Sequence, residues 1–175
     1  MDRKISLLLP LVILVIFGIT MTTAYAQDDI KQSPSCKHCG MDRQKFDYSR
    51  MLIEYEDRTS TGICSVHCAA VELATNIDKA PKAILVADLN TKGLIDAEKA
   101  FWVVGGNKPG VMTKQGKWAF EKKENAELFI KSNGGTPASF DDVMKAAYND
   151  MHEDTKMIRE KRKMMKLGQK QEHPH

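Results

Sequence analysis

Four cysteines and one methionine are the residues of this chain whose types and spacing indicate chemistry. The segment Cys36-Lys37-His38-Cys39-Gly40-Met41 carries two thiols and a thioether, and Cys64 and Cys68 follow further along the chain. Two cysteines separated by two residues bind one ion from a single turn, and Gly40 allows the left-handed backbone that such a knuckle needs. Thiolate and thioether ligands together favour a soft ion such as Cu(I) or Zn(II).

The residues alone leave several functions open for this set. Four thiolates suit a structural zinc site, whereas one or two thiolates with thioethers suit Cu(I). Two structural disulfides are an alternative, although pairing within Cys36/Cys39 or Cys64/Cys68 would close very short loops, which stabilise least. A dithiol oxidoreductase is another, but its Cys-x-x-Cys normally follows a strand, and here it follows a polar segment. Gly40 stands where a c-type haem site needs histidine, which excludes haem attachment.

The N-terminus predicts export. Met1-Asp2-Arg3-Lys4 is basic, the run from Ile5 to Ile19 is almost wholly apolar, and Ala24-Tyr25-Ala26 is a small-x-small cleavage pattern. This order is typical of a secretory signal peptide over residues 1–26, and the apolar run is shorter than the ~20 residues of a spanning helix. No cysteine follows the predicted cleavage site. We therefore expect a periplasmic or secreted protein without an N-terminal lipid.

The rest of the chain predicts an α+β protein of two small modules. Removing 26 of the 175 residues leaves 149, the size of one ordinary domain. The formal net charge of +3 does not indicate a nucleic-acid partner. After a disordered leader over residues 27–35, residues 36–90 predict a β-β-α-β module. Its elements are strands at 49–57 and 63–66, a helix at 66–76 that Ser65 caps, and a strand at 82–89.

Residues 91–148 predict a second β-β-α-β module. Its elements are strands at 100–104 and 116–120, a helix at 121–132, and a short strand at 137–139. A charged helix then begins at Asp141, and residues 149–175 form a solvated helical tail with a disordered end from Gln169. This tail has no wide apolar stripe.

Some further side chains are weaker candidates for ligands. His38 and His67 adjoin cysteines, at positions where a histidine is more often an exposed loop residue. Met112 lies between two predicted strands of the second module, where a lone methionine usually packs but is within reach of the first-module thiols. A copper-collecting tail is an alternative reading of the methionines and histidines near the C-terminus, which are Met164, Met165, His173 and His175.

Several motifs resemble the NosL accessory proteins of nitrous oxide reductase maturation. They are Cys39-Gly40-Met41, the helix with Cys68, Phe101-Trp102-Val103-Val104-Gly105, Pro109-Gly110-Val111-Met112, Trp118-Ala119-Phe120, the helix from Ala126 to Phe129, and Gly134-Gly135. The resemblance spans residues 35–148 and keeps the motif order. The cysteine elements also resemble the TRASH-type metal-binding knuckle.

This resemblance implies a non-catalytic, periplasmic Cu(I) carrier built from two β-β-α-β modules. Its partners would be membrane-bound copper-delivery machinery or a client copper enzyme, with nitrous oxide reductase as the family's client. By position, the implied ligands are Cys36 or Cys39 with Met41 and Met112, beside Cys64 and Cys68. The chain departs from the family in lacking a lipid-anchor cysteine, in the extra thiol at position 64, and in its charged tail.

Overall fold

The computed structural model describes the backbone of residues 28–172 and the side chains of residues 28–167. The predicted signal peptide and the last three residues of the predicted disordered end lie outside the described residues. Within residues 28–172, no helix combines the length and the apolar character needed to cross a bilayer.

Two antiparallel sheets and four helices confirm the α+β class and both β-β-α-β modules. In chain order the elements are α1 (Asp28–Gln32), β1 (Met51–Tyr55), β2 (Ser60–Ile63), α2 (Val66–Thr75), β3 (Pro81–Ala87), β4 (Leu94–Asp96), β5 (Phe101–Val104), β6 (Lys117–Phe120), α3 (Lys123–Asn133), β7 (Thr136–Ala138) and α4 (Phe140–Glu172). Strand β2 begins inside the predicted turn, because Ser60, Thr61 and Gly62 already pair with β1. Strand β4 was not predicted.

The two modules share one strand order. The first sheet runs β2-β1-β3-β4 and the second runs β6-β5-β7, so that the first strand of each module lies in the centre. Met51 on β1 stands opposite both Ile63 on β2 and Val86 on β3. Met51, Ile53 and Tyr55 are buried while the residues between them are half-buried, which confirms the predicted alternation.

One hydrophobic core joins the two modules. Trp102 and Ala119 from the second module share a buried cluster with residues of β1 and α2. The Trp102 indole N–H donates to the Ala97 carbonyl at 2.7 Å. The buried carboxylate of Asp88, after β3, accepts the Glu121 N–H at 2.8 Å. Because the packing of Trp102 and Ala119 and the Asp88–Glu121 hydrogen bond cross the module boundary, the second module can hold side chains against the first.

Residues 28–32 of the predicted disordered leader form helix α1 instead. Ile30 is buried, and the carboxylate of Asp29 pairs with Arg43 at 2.6 Å and with Arg50 at 3.0 Å. The side chains of both arginines are fully buried. The polar composition of the leader therefore does not indicate disorder, because its charge has buried partners that lie far along the chain.

Helix α4 also differs from the predicted tail. It begins at Phe140 and continues to Glu172, so the residues from Gln169 to Glu172 are helical. Its first half is not a solvated tail, because Asp154 is only 2% exposed. The Asp154 carboxylate accepts the Lys114 N–H at 3.2 Å, and Asp150 pairs with Lys117 at 2.7 Å. Helix α4 thus packs by apolar residues near its start, such as Val143 and Ala147, and by polar contacts of Asp150 and Asp154 that an apolar pattern does not reveal.

The Asp29 ion pairs predict a large effect of Asp29→Asn on stability. Removing this charge breaks the ion pairs of Asp29 with two buried guanidinium groups, and breaking a buried pair costs about 3 kcal/mol of the free energy of unfolding. Asp28→Asn is a matched control, because Asp28 pairs with Lys31 at the surface and such pairs contribute about 0–1 kcal/mol. Urea denaturation of the reduced, metal-free protein measures both. Equal losses in the two variants would contradict this account of α1.

Candidate metal centre

The loop Cys36–Met41, called the knuckle loop below, is closed by its own backbone. The Cys36 N–H donates to the Met41 carbonyl at 2.8 Å, and the Gly40 N–H donates to the Cys36 carbonyl at 2.9 Å. Gly40 has a φ of +72°, the left-handed conformation that the sequence predicts there. The Lys37 N–H donates to the Gly62 carbonyl at 3.2 Å, so the loop also hydrogen-bonds to β2.

The other two cysteines lie where β2 leads into α2. Cys64 directly follows β2, and Cys68 is in the first turn of α2. Their sulfur atoms therefore lie close together at the junction of the strand and the helix. Ser65 occupies the N-cap position with an extended backbone, but its side chain makes no capping hydrogen bond. Its hydroxyl lies 3.7 Å from the Cys64 sulfur instead.

The fold brings all four sulfur atoms together. The sulfur atoms of Cys36, Cys39, Cys64 and Cys68 lie within 4.8 Å of one another. Cys39 and Cys64 are 3.4 Å apart, and Cys64 and Cys68 are 3.7 Å apart. Four sulfurs around one tetrahedral ion, each about 2.3 Å from it, would be about 3.8 Å apart. The thiols are free rather than joined in disulfides, and their spacing fits one shared soft ion.

Burial makes this set a closed site with one accessible thiol. Cys36, Cys64 and Cys68 are 3%, 0% and 2% exposed, whereas Cys39 is partly exposed. Reactive cysteines of dithiol oxidoreductases are at least partly exposed, so the buried set favours metal binding over disulfide exchange. Among the described residues, no histidine or carboxylate lies with the four thiols as a fifth possible metal ligand.

Hydrogen bonds among the thiols make them unequal acids. Those from Cys39, Cys64 and Cys68 lower the pKa of Cys36. The bond with Cys36 raises the pKa of Cys39, but bonds with Cys64 and Cys68 lower it, and the result is about 7. The bonds with Cys36 and Cys39 raise the pKa of Cys64 and of Cys68. Cys36 and Cys39 of the knuckle loop are therefore the thiols that ionise most readily. Ionisation of Cys64 and Cys68 as well requires a bound cation that offsets their charge.

A buried carboxylate anchors the knuckle loop to α2. Glu72, one helical turn after Cys68, is fully buried and accepts hydrogen bonds from the hydroxyl groups of Tyr55 at 2.9 Å and Thr61 at 3.1 Å. The Lys37 ammonium lies 3.1 Å from Glu72, and the His38 Nε2 lies 2.6 Å away. Burial raises the pKa of Glu72, but the hydrogen bonds from Tyr55, Lys37 and His38 outweigh burial and lower it. Glu72 is therefore ionised and holds both residues between the knuckle cysteines.

The two predicted thioether ligands lie at the same part of the core. Met41 and Met112 are both partly buried and pack against the cluster that contains Cys36, Cys64 and Cys68. Met112 has a φ of +62°, a conformation that costs energy for a residue other than glycine. Met112 lies in the loop between β5 and β6, and its role as a ligand stays a prediction.

The two candidate histidines are not among the clustered ligands. His38 binds Glu72 on the outer side of the knuckle loop. His67 is 7% exposed, and its Nδ1 lies 3.6 Å from the Asp154 carboxylate without a hydrogen-bond partner. Burial lowers the pKa of His67, and the nearby Asp154 opposes that shift.

Sequence reasoning missed three residues that position the site. They are Arg43, Glu72 and Arg162. The Arg162 guanidinium donates to the Cys39 carbonyl at 2.9 Å, 123 residues along the chain from its acceptor. Glu72 offered one signal, since it follows Cys68 by four residues and so lies on the same helix face. The other two carry no local signal.

Comparison with known proteins identifies the family and supports the fold described above. The family model described as NosL matches residues 27–148. The chain belongs to the NosL family. The solved structures that this NosL-family protein resembles include the copper chaperone NosL from Shewanella denitrificans, with 24% identity and a TM-score of 0.50. That match covers 62% of this chain and 88% of the other, and it bears on the fold. No curated protein matches the chain.

Family membership and the four-thiol cluster together identify a metal-binding protein and not an enzyme. The matched region contains all four cysteines, Met41 and Met112. It ends at residue 148, within α4, so the basic outer part of that helix lies beyond the region matched to the family.

Cys39 is expected to react first with iodoacetamide in the metal-free, reduced protein. Its pKa of about 7 and its partial exposure give an accessible thiolate at neutral pH, whereas the other three thiols are buried. Mass spectrometry of peptides after limited alkylation identifies the modified residue. Because a lowered pKa keeps the thiolate populated as pH falls, labelling should persist until the pH is below about 7. First labelling at Cys64 or Cys68 would contradict this geometry.

Glu72→Gln is expected to weaken metal binding without removing a ligand. The neutral amide loses the ion pair with Lys37 and the carboxylate contact with His38, so the knuckle loop is held less firmly. Changes to residues that orient ligands cost roughly 10-fold in metal affinity. Competition with a chelator measures that affinity, and Glu127→Gln on the exposed face of α3 is the matched control. A metal affinity equal to that of the control would show that Glu72 does not support the metal site.

Proposed function

We propose that this NosL-family protein is a Cu(I) metallochaperone that delivers copper to an exported copper enzyme. The observation that carries the proposal is the cluster of four thiols within 4.8 Å, with the thioethers of Met41 and Met112 packed against the same core. Thiolates and thioethers are the ligands that Cu(I) prefers. The similar solved structure is that of a copper chaperone, which supports copper as the ion that this protein carries.

The arrangement supports transfer as well as binding. Cys39 is the partly exposed member of the set, so an incoming thiol or thioether of an acceptor reaches the ion there first. Cu(I) is stable with two or three sulfur ligands, and a set with more donors than the ion needs permits stepwise ligand exchange. No bond other than metal–ligand bonds forms or breaks, and the copper keeps its oxidation state throughout.

The compartment and the partners are part of the proposal. The predicted signal peptide supports a periplasmic location. The family's role in nitrous oxide reductase maturation suggests that the acceptor is membrane-bound copper-delivery machinery or the client copper enzyme itself, for which nitrous oxide reductase is the first candidate.

A structural zinc site is the second candidate function. The specific observation in its favour is the near-tetrahedral spacing of the four thiols, since four-cysteine sites are typical of structural zinc. The two functions differ in how the ion contributes to folding. A structural zinc ion is required for the fold, so its removal by a chelator would unfold the protein. A cargo ion would leave a folded, metal-free protein.

Anaerobic titration with Cu(I) against a chromophoric chelator is the direct test. We expect one Cu(I) per chain with submicromolar or tighter affinity, and a folded protein after the copper is removed. Failure to compete with the chelator, or copurified zinc whose removal unfolds the chain, would overturn the copper function.

Substitutions of single ligands then define the site. Cys39→Ser and Met112→Leu are each expected to weaken Cu(I) binding at least about tenfold, because each removes a soft donor. Met164→Leu is the matched control, since Met164 is 68% exposed on α4. A Met112→Leu protein that binds Cu(I) as tightly as the control would remove Met112 from the site.

A further inference from the structure

The outer part of α4 carries a strongly basic surface that the metal centre does not use. From Lys156 to Leu167 the sequence has six basic residues and one acidic residue, Glu160. The six are Lys156, Arg159, Lys161, Arg162, Lys163 and Lys166. Every side chain from Arg159 to Leu167 is exposed, so these charges face solvent around a helix that projects beyond the core.

The same segment carries large exposed apolar side chains. Met164, Met165 and Leu167 are 68%, 67% and 48% exposed. Met157, Met164 and Met165 are seven and eight residues apart, so they share one face of the helix, and they line an open groove beside Lys114. Neighbouring exposed apolar side chains that are rimmed by charges mark interaction surfaces.

The basic residues form a second face. Arg159, Lys163 and Lys166 follow the spacing of four and three residues that places side chains on one side of a helix. By rotation of about 100° per residue, this side lies roughly opposite Met157 and Met164. The outer part of α4 is therefore amphipathic, with a narrow apolar face that Lys161 interrupts and a cationic face on the opposite side.

We propose that this segment, Lys156–Leu167, binds the surface of an anionic lipid membrane. A basic amphipathic helix lies in the membrane interface with its apolar face among the upper acyl chains and its cations at lipid phosphates. Lysine and arginine side chains reach headgroups while their aliphatic stems stay against apolar surface. Unbranched methionine side chains adapt their shape to the surface that they contact, which suits a fluid acyl layer.

The position of this segment relates membrane binding to the metal centre. Arg162, in the middle of the segment, donates its hydrogen bond to the Cys39 carbonyl of the knuckle loop. A helix bound along the membrane therefore keeps the knuckle loop close to the bilayer surface. The inference does not require copper, and its test uses metal-free protein.

Vesicle cosedimentation tests the proposal with the chain from Gln27 onward, because the apolar N-terminal run would itself bind lipid. We expect binding to vesicles that mix phosphatidylglycerol with phosphatidylcholine, and little binding to phosphatidylcholine alone. Added salt should weaken the binding, because it screens exposed charges. Absence of binding to anionic vesicles at low salt would overturn the proposal.

Charge reversals locate the surface. Lys163→Glu with Lys166→Glu is expected to weaken binding at least about tenfold. Lys122→Glu with Lys131→Glu makes the same change in net charge on α3 and should retain binding. Equal weakening in both double variants would indicate attraction by net charge alone and would overturn the assignment to α4. Far-UV circular dichroism checks that each variant keeps its helices.

The apolar face distinguishes a membrane from an acidic protein. Met164→Ser with Met165→Ser should weaken vesicle binding several-fold if these side chains enter the bilayer. Soluble poly-glutamate is the comparison ligand, because it offers negative charge without an acyl layer. Binding to poly-glutamate as tight as to vesicles, with no effect of the methionine substitutions, would point to an acidic protein partner and overturn the membrane assignment.

Discussion

The geometry of the metal centre depends on the buried guanidinium of Arg43. It donates to the carbonyl groups of Asp29, Ser33, Met51 and Ile63 and pairs with the Asp29 carboxylate. Asp29 lies in α1 and Ser33 follows it. Met51 lies in β1, and Ile63 is the last residue of β2, directly before Cys64. Since burying a guanidinium is unfavourable unless its donors are satisfied, the segments must meet at one place. The segment that leads into the knuckle loop is thereby held beside the junction of β2 and α2.

Glu72 completes this arrangement from the opposite side of the loop. It is a buried anion among hydroxyl and cationic donors, as Arg43 is a buried cation among carbonyls and a carboxylate. Between the two, the knuckle loop is held at its entrance and at its middle. The four thiols therefore stay close together before any ion binds, and an ion needs little rearrangement to bind. For the proposed cargo role, such preorganisation would let the metal-free protein stay folded.

The second module and α4 enclose the site rather than supply thiols. Met112 reaches the shared core from the loop between β5 and β6, and Lys117 on β6 pairs with Asp150. Asp154 then brings α4 against His67 and Lys114. Cys39 is left as the partly exposed thiol, and Arg162 contacts its carbonyl. The accessible edge of the thiol cluster therefore lies next to the basic part of α4.

Local patterns identified much of this protein. The spacing of the cysteines, Gly40 after the second of them and the alternation along β1 depend on residues close in sequence, so the knuckle loop and the element order of both modules were predictable. The meeting of Cys36 and Cys39 with Cys64 and Cys68, and the free state of all four, required the tertiary structure. So did α1 and the packed half of α4, because their polar side chains have partners 14 to 40 residues away. Apolar periodicity reports burial by the hydrophobic effect, whereas buried ion pairs leave no period in the sequence.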